Sequence, residues 1–480
     1  MTTGLVFTVL GVYFLMLITI AYFTSRNADS NTFFTAHKSS PWPLVAFGMI
    51  GTSLSGATFI SVPGKVGLTQ FTYFQIVLGY LAGYLVVALV LLPLYYRLKL
   101  ISIYGYLETR FGAMSKLSGS GIFLISRLIG ASLRLFLAAS VLQLFLFNQL
   151  NVPFEATVLF TIILIWVYTF KGGIKTIVWT DTFQTFFLIT SLVTTTFVIG
   201  NQLNLNLTGV FERINSGGYL KMFVLNDFKS PMFFGKQFIG GFFITIAMTG
   251  LDQDLMQKNL TCKNLNDAQK NMFWFSVVLV LVNLLFLTMG ALLYVFAQEK
   301  EIAIPEKTDQ LFPTLALSHL GILAGLSFLV GITASSYASA DSALASLTTS
   351  FCVDFLKVEK WEEKKINSTK NLVHIGFSFL LLISIIIFKN SSDSSVIDAV
   401  LKMATYTYGP LLGMFAFGIF TKVQIKDQLT PFICLLSPFL TWLVELYIPQ
   451  FLGGYKFGYE LLPINGMLTF GMMWLARKKI

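Results

Sequence analysis

Residues 47–67, from Phe47 to Gly67, read FGMIGTSLSGATFISVPGKVG. Gly51, Ser53, Ser55, Gly56, Ser61, Pro63 and Gly64 all fall inside a stretch otherwise apolar enough to lie in a membrane. Glycine loses the most chain entropy on entering a helix, and proline removes a backbone donor. A helix through this stretch is therefore expected to break. An unwound segment at membrane depth exposes carbonyl oxygens, which are tolerated only where they line a cavity or hold a ligand such as Na⁺. Close helix packing through small residues is the competing reading, and the segment alone leaves both open.

Working outward, the rest of the chain belongs in lipid. Of 480 residues, 55% are hydrophobic and only 12% charged, and mean hydropathy is +0.73. A folded soluble protein carries about 25% charged residues, so most of this exterior faces hydrocarbon. That excludes a soluble enzyme, a secreted disulfide scaffold, a fibrous repeat and a nucleic-acid binder. Cys262, Cys352 and Cys434 are too widely spaced for a disulfide framework or a CxxC site and read as small core residues. The stretch Leu5 to Thr24 lacks a basic leader and a small-residue cleavage site, so it reads as a retained helix.

A membrane-crossing helix needs about 20 mostly apolar residues. Thirteen stretches qualify, at about 5–24, 42–65, 71–96, 119–147, 155–170, 177–199, 237–257, 271–297, 311–350, 371–388, 396–421, 429–448 and 461–477. An odd number of crossings puts the termini on opposite sides. With the N-terminus outside and the C-terminus in the cytoplasm, 21 of the 33 Lys and Arg residues fall in cytoplasmic segments, as the resistance of basic residues to translocation requires. The net charge of +10 then reports topology and not a nucleic-acid patch. The connection 200–236 is expected to pack as short helices, and the run KVEKWEEKKINSTK at 357–370 as a solvated amphipathic helix.

Function is sought where spans carry polar groups. The ninth reads ITASSYASADSALASLTTSF, Ile332 to Phe351, with Ser335, Ser339, Ser342 and Ser346 on one helical face beside Asp341. Hydroxyl oxygens suit an alkali cation, unless each simply bonds a carbonyl of its own helix. The sixth opens FKGGIKTIVWTDTFQTF and places Asp181 just inside the membrane, where it either serves an ion or pairs with a cytoplasmic Lys. The seventh ends AMTGLDQDLMQKNL, with Gly250, Asp252, Gln253 and Asp254 marking a second discontinuous helix. The fourth carries Arg127 and Arg134, seven apart; a buried Arg costs at least about 2.5 kcal/mol without a partner. Arg127 is expected to snorkel to the membrane edge, and Arg134, a turn and more deeper, to meet a ligand. Lys402 is expected to pair with Asp398 four residues earlier, and the three histidines, His37, His319 and His374, are too scattered for a metal site.

Broken spans at the second and seventh positions head two five-span blocks, 42–199 and 237–421, flanked by peripheral helices at 5–24 and 429–477. That is the arrangement of an inverted-repeat transporter. At SLSGATFISVPG, KGGIKTIVWTDTFQ, DQDLMQKNLTCKNLNDAQ and SADSALASLTTSFCVDF the chain resembles the sodium:solute symporter family, nearly end to end. The resemblance implies an all-α integral membrane protein with a LeuT-like core of ten helices in two inverted five-helix repeats, working by alternating access. It implies a sodium site at Gly51, Leu54, Ser335, Ala338 and Ser339, although the family commonly has two adjacent hydroxyls where this chain has Ala338 then Ser339. A second sodium in some relatives would match Asp181, Asp341 and Ser342. Arg134 resembles in position an arginine that holds a substrate carboxylate, and Ser53, Ser55, Gln75, Asp252 and Gln253 complete the expected substrate set. The implied partners are a small organic solute, Na⁺ and the lipid bilayer, with no organic cofactor, transition metal, nucleic acid or obligatory protein partner. A membrane-embedded enzyme is the rival class; the chain has no HExxH, DDxxD, GxSxG or phosphate-loop motif. A sensor that binds solute without moving it is the third.

Overall fold

Glycine, serine and proline break helices where the chain was expected to unwind. In the computed structural model, which describes residues 3–26, 28–389 and 395–478, Trp42–Ser53 and Gly56–Thr69 meet at 59°, and Phe234–Gly250 and Gln253–Asn259 at 67°. Leu54 and Ser55 leave helical geometry at φ −88°, ψ 66° and φ −64°, ψ 173°. All regular structure among the described residues is helical, apart from two isolated bridge pairs.

Among the described residues eight helices are long and apolar enough to cross a bilayer, ten when each bent pair counts as one span. Three shorter apolar helices, Phe154–Thr169, Gly409–Phe420 and Leu461–Leu475, account for the remaining expected stretches. Two stretches differ from expectation. The eleventh, read as one span, is two helices, Val396–Thr407 and Gly409–Phe420, because Pro410 cannot donate back into the preceding turn. The ninth divides into Leu311–Ser318 and Gly321–Ser350 at Gly321, whose φ of +85° suits glycine. The charged run 357–370 is not a separate surface helix: its second half is the start of the apolar helix Glu363–Phe388. In the connection 203–233 only Leu207–Ser216 is α-helical.

Burial separates core from periphery. Only 28%, 28% and 22% of the most apolar windows of Gly4–Thr24, Glu363–Phe388 and Asp427–Phe451 are buried, against 61% for Ala113–Leu142 and 67% for Gly321–Phe355. The first three turn apolar residues such as Leu435 and Phe451 outward, as lipid contact requires. At the centre, Gly173–Gln202 (the aspartate helix) lies along Gly321–Ser350 (the serine helix) and along Trp42–Ser53. Ala113–Leu142 (the arginine helix) packs on the other flank of the serine helix. Small residues set these distances: a Cβ on Gly51 would lie 2.4 Å from Thr185 Oγ1, and one on Gly56 2.0 Å from Ser336 Oγ.

Candidate ion and substrate site

The first break leaves carbonyl oxygens unclaimed. The last ladder bond of Trp42–Ser53 runs from Leu54 N–H to the Ile50 carbonyl, and the first of Gly56–Thr69 from Phe59 N–H to Ser55. The carbonyls of Gly51, Thr52, Ser53 and Leu54 therefore belong to neither ladder. Opposite them, the serine helix presents Ser335, Ala338 and Ser339, all fully buried. Thr52 Oγ1 lies 3.5 Å from the Ala338 carbonyl, and Gly56 rests against Ser336. Ser335 donates its proton to Ile332 O at 3.1 Å and Ser339 to Ser336 O at 2.9 Å. Self-bonding does not disqualify these hydroxyls: a donated proton leaves the oxygen lone pairs facing outward. The sequence-derived sodium set Gly51, Leu54, Ser335, Ala338 and Ser339 thus sits on two segments in contact, and its donor chemistry suits a hard monovalent cation.

Beside this break buried charged groups find partners. Lys258 Nζ donates to Asp181 Oδ2 and to Thr52 Oγ1, while Thr52 donates to Asp181 at 3.0 Å. Arg127 does not snorkel: it pairs with Asp254 and lies 4.0 Å from Asp252, which also accepts from Tyr408. The carboxylates of the second break drew it inward. Ser342 donates to Asp254, and Asp341 accepts from Tyr168 at 2.9 Å and from the Ser342 N–H. Asp181, Asp341 and Ser342, expected together around a second ion, are held here by three different partners.

A cavity of about 90 Å³ opens beside the first break, lined by Thr52 to Ser55, Thr58, Tyr73, Tyr80, Tyr84, Thr245, Thr249 and Asn283 among others. Both Arg127 and Arg134 face it. Arg127 is neutralised, but Arg134, 9% exposed, has no hydrogen bond and no carboxylate within 4.0 Å among the described residues. Of the six expected substrate residues, Ser53, Ser55 and Arg134 line the cavity. Asp252 reaches it only through Arg127. Gln75 and Gln253 do not take part. Gln75 binds Met232 O at 3.0 Å and Val224 N–H at 3.0 Å, securing the 203–233 connection. Gln253 binds Ile103 N–H and Ile101 O, each at 2.9 Å, securing the loop before Gly105. Long amides reach distant backbone that spacing cannot reveal.

Ties on the basic face are dense. Arg110 donates to the carbonyls of Gly418, Thr421 and Val423, and Asp354 accepts from Ser102, Ser120 and Ser350. Lys116 at 2.8 Å from Glu108 holds that carboxyl below its ordinary range. On the opposite face Lys65 bonds both oxygens of Asp398 at 2.7 Å, beside a smaller cavity around Tyr73 and Met232. Lys402 pairs with Glu445 at 3.1 Å and not with Asp398: Lys65, from the first broken helix, claims that acid across the fold. Lys258, Tyr168, Tyr408 and Thr185 were not singled out beforehand. Its place eight residues after Gly250, the glycine at the second break, was the available signal for Lys258.

Residues 33–426 match the model of the sodium:solute symporter family. The chain belongs to that family. As a family member it is a multi-pass membrane protein and a secondary active transporter. It is 26% identical over 414 residues to the sodium/sialic acid symporter NanT of Aliivibrio fischeri, covering 84% of this chain and 80% of that one. It is also 26% identical over 394 residues to the mouse sodium-coupled monocarboxylate transporter 1, covering 78% and 62%. In fold the symporter is similar to a substrate-bound, outward-open Na⁺-coupled sialic acid symporter, with TM-score 0.85 at 20% identity over 99% of both chains. It is similar at TM-score 0.57 and 14% identity to the nucleobase-cation symporter Mhp1, over 94% of both. Both neighbours share the LeuT fold expected from the sequence.

Proposed function

We propose that this symporter carries a polyhydroxylated organic anion, of the sugar-acid class, together with Na⁺. The observation that carries the reading is Arg134, a buried guanidinium with no carboxylate within 4.0 Å among the described residues, facing a cavity rich in Ser, Thr and Tyr hydroxyls. A planar guanidinium matches a carboxylate in two-point hydrogen bonding, and hydroxyls suit a solute bearing many of its own. Sialic acid and monocarboxylates, the solutes named for two of the relatives, are also carboxylates.

Na⁺ would be held by the carbonyls of Gly51, Leu54 and Ala338 and the hydroxyls of Ser335 and Ser339. Bound there it joins the first break to the serine helix and so completes the cavity wall at Ser53 and Ser55. The two repeats, 42–199 and 237–421, then rock about this layer, with the N-terminus outside, the C-terminus in the cytoplasm of a bacterial inner membrane and no covalent chemistry performed. A tenfold Na⁺ gradient supplies about 1.4 kcal/mol per ion. The membrane potential would add about 2.3 kcal/mol per charge at 100 mV, but one Na⁺ with one monoanion moves no net charge.

The test is thermal stabilisation by sugar acids, sugars, amino acids and monocarboxylates, each in Na⁺ and in K⁺, followed by uptake of any hit into proteoliposomes. Stabilisation by a carboxylate in Na⁺ that falls at least tenfold in apparent affinity in Arg134→Ala is expected. A hit unchanged in that variant would end the anion reading, and uptake indifferent to the sodium gradient would end the symport reading.

A further inference from the structure

Lys258 lies at the end of Gln253–Asn259, 1% exposed, where a long basic side chain would ordinarily reach for water. It turns inward, and its ammonium bonds Asp181 of the aspartate helix and Thr52 of the first break. Those acceptors are a carboxylate and a hydroxyl, the hard oxygens a sodium ion would take. Asp341 lies within electrostatic reach of the same ammonium, fastened to Tyr168 and to the Ser342 N–H. Ser342, the hydroxyl that could have completed an ion shell with Asp181, donates instead to Asp254, which Arg127 also engages. Asp181 Oδ2 and Thr52 Oγ1 are thus both taken up by the ammonium, while Asp181 Oδ1 keeps no hydrogen-bond partner among the described residues.

We infer that the Lys258 ammonium is a tethered cation occupying a potential second sodium position, and that it sets the stoichiometry of this symporter at one Na⁺ per cycle. A primary ammonium and a sodium ion carry the same charge, and one excludes the other by size and repulsion. A tethered cation joins both broken helices to the aspartate helix without being released, so it contributes no gradient energy. An anion moved with a single Na⁺ is then carried without net charge. This rests on the sodium and anion reading above, and the experiment separates the two.

The experiment counts bound ²²Na⁺ on purified protein and measures the response of proteoliposome uptake to an inside-negative potassium diffusion potential. One ion per chain and potential-insensitive uptake are expected of the wild type. Lys258→Gln is expected to bind a second ion and to become stimulated by the potential. Lys258→Arg and the double variant Lys258→Gln/Asp181→Asn are expected to bind one. Two ions on the wild type, or no added ion on Lys258→Gln, would overturn the inference and leave the first site standing. No ion on the wild type would instead overturn the sodium reading itself. Should Lys258→Gln not fold, the wild-type count and the double variant, which removes both charges together, decide.

Discussion

The two helix breaks look alike in sequence, each a glycine followed by polar residues, and differ in what their freed carbonyls meet. At the second break the Gly250 carbonyl accepts from Tyr95 at 2.8 Å and the Leu251 carbonyl from Tyr104 at 3.0 Å. Asp252 caps the next helix by accepting from Asp254 N–H at 2.9 Å, and both carboxylates meet Arg127. At the first break no tyrosine takes that place; Gly51, by its N–H, and Thr52, by its hydroxyl, are engaged, while the four carbonyls from Gly51 to Leu54 stand outside both ladders. An unsatisfied carbonyl is costly where no water reaches it. One break is therefore closed by the protein's own donors, and the other leaves its carbonyls free for the ion proposed above. The lesson is that discontinuity alone does not make an ion site; the missing donors do.

The comparison can be broken most forcefully at the second break. Asp254→Asn strips a buried guanidinium of its carboxylate, and losing one partner of such a pair costs about 3–5 kcal/mol. A matching fall in thermal stability in detergent is expected, with recovery when Arg127→Met is added. A variant as stable as the wild type would mean that the Arg127 pair does not hold this break closed.

A smaller effect is expected at the first break from Gly56→Ala, whose new methyl would meet Ser336 Oγ at 2.0 Å. Overpacking of this kind costs about 1–3 kcal/mol. Because it pushes the broken helix off the serine helix, it should also abolish stabilisation by Na⁺, and Ser336→Ala in the same chain should restore part of both. Sodium stabilisation intact in Gly56→Ala would place the ion elsewhere.

The smallest and sharpest pair is Ser339→Ala against Tyr104→Phe. Ser339→Ala removes one oxygen from the first break's proposed shell and should weaken Na⁺ about tenfold, or about 1.4 kcal/mol, as read from melting temperature against Na⁺ with K⁺ as control. Tyr104→Phe removes a donor from the second break and should lower stability by about 1 kcal/mol without moving the Na⁺ midpoint. If the two variants exchanged effects, the assignment of the open and closed breaks would be reversed.

Much of the architecture was legible because it is written in short-range patterns. Helix length, the glycine and proline breaks at Gly56 and Gly250, and the serine face at Ser335 and Ser339 depend on neighbours within two turns, where backbone preference and periodicity act. Partner choice was not legible. Asp398 was assigned to Lys402, four residues away, and went to Lys65, which is 333 residues distant and bonds both its oxygens. Arg127, Gln75 and Gln253 were likewise misplaced, since long side chains reach whatever acceptor packing brings within 3 Å. The kink at Tyr408 was missed although Pro410 announces it, because the apolar run on either side masks a local interruption.

By itself the sequence determined that this chain lives in lipid, where it unwinds and which residues carry oxygen or charge there, because desolvation and backbone geometry are properties of the residues in order. Only the tertiary structure decided that Arg134 meets no carboxylate among the described residues, that Lys258 is turned onto Asp181 and that one break is sealed while the other stays open. Those outcomes depend on which helices touch, and in a low-dielectric interior each charge must take the nearest counter-charge that the packing supplies.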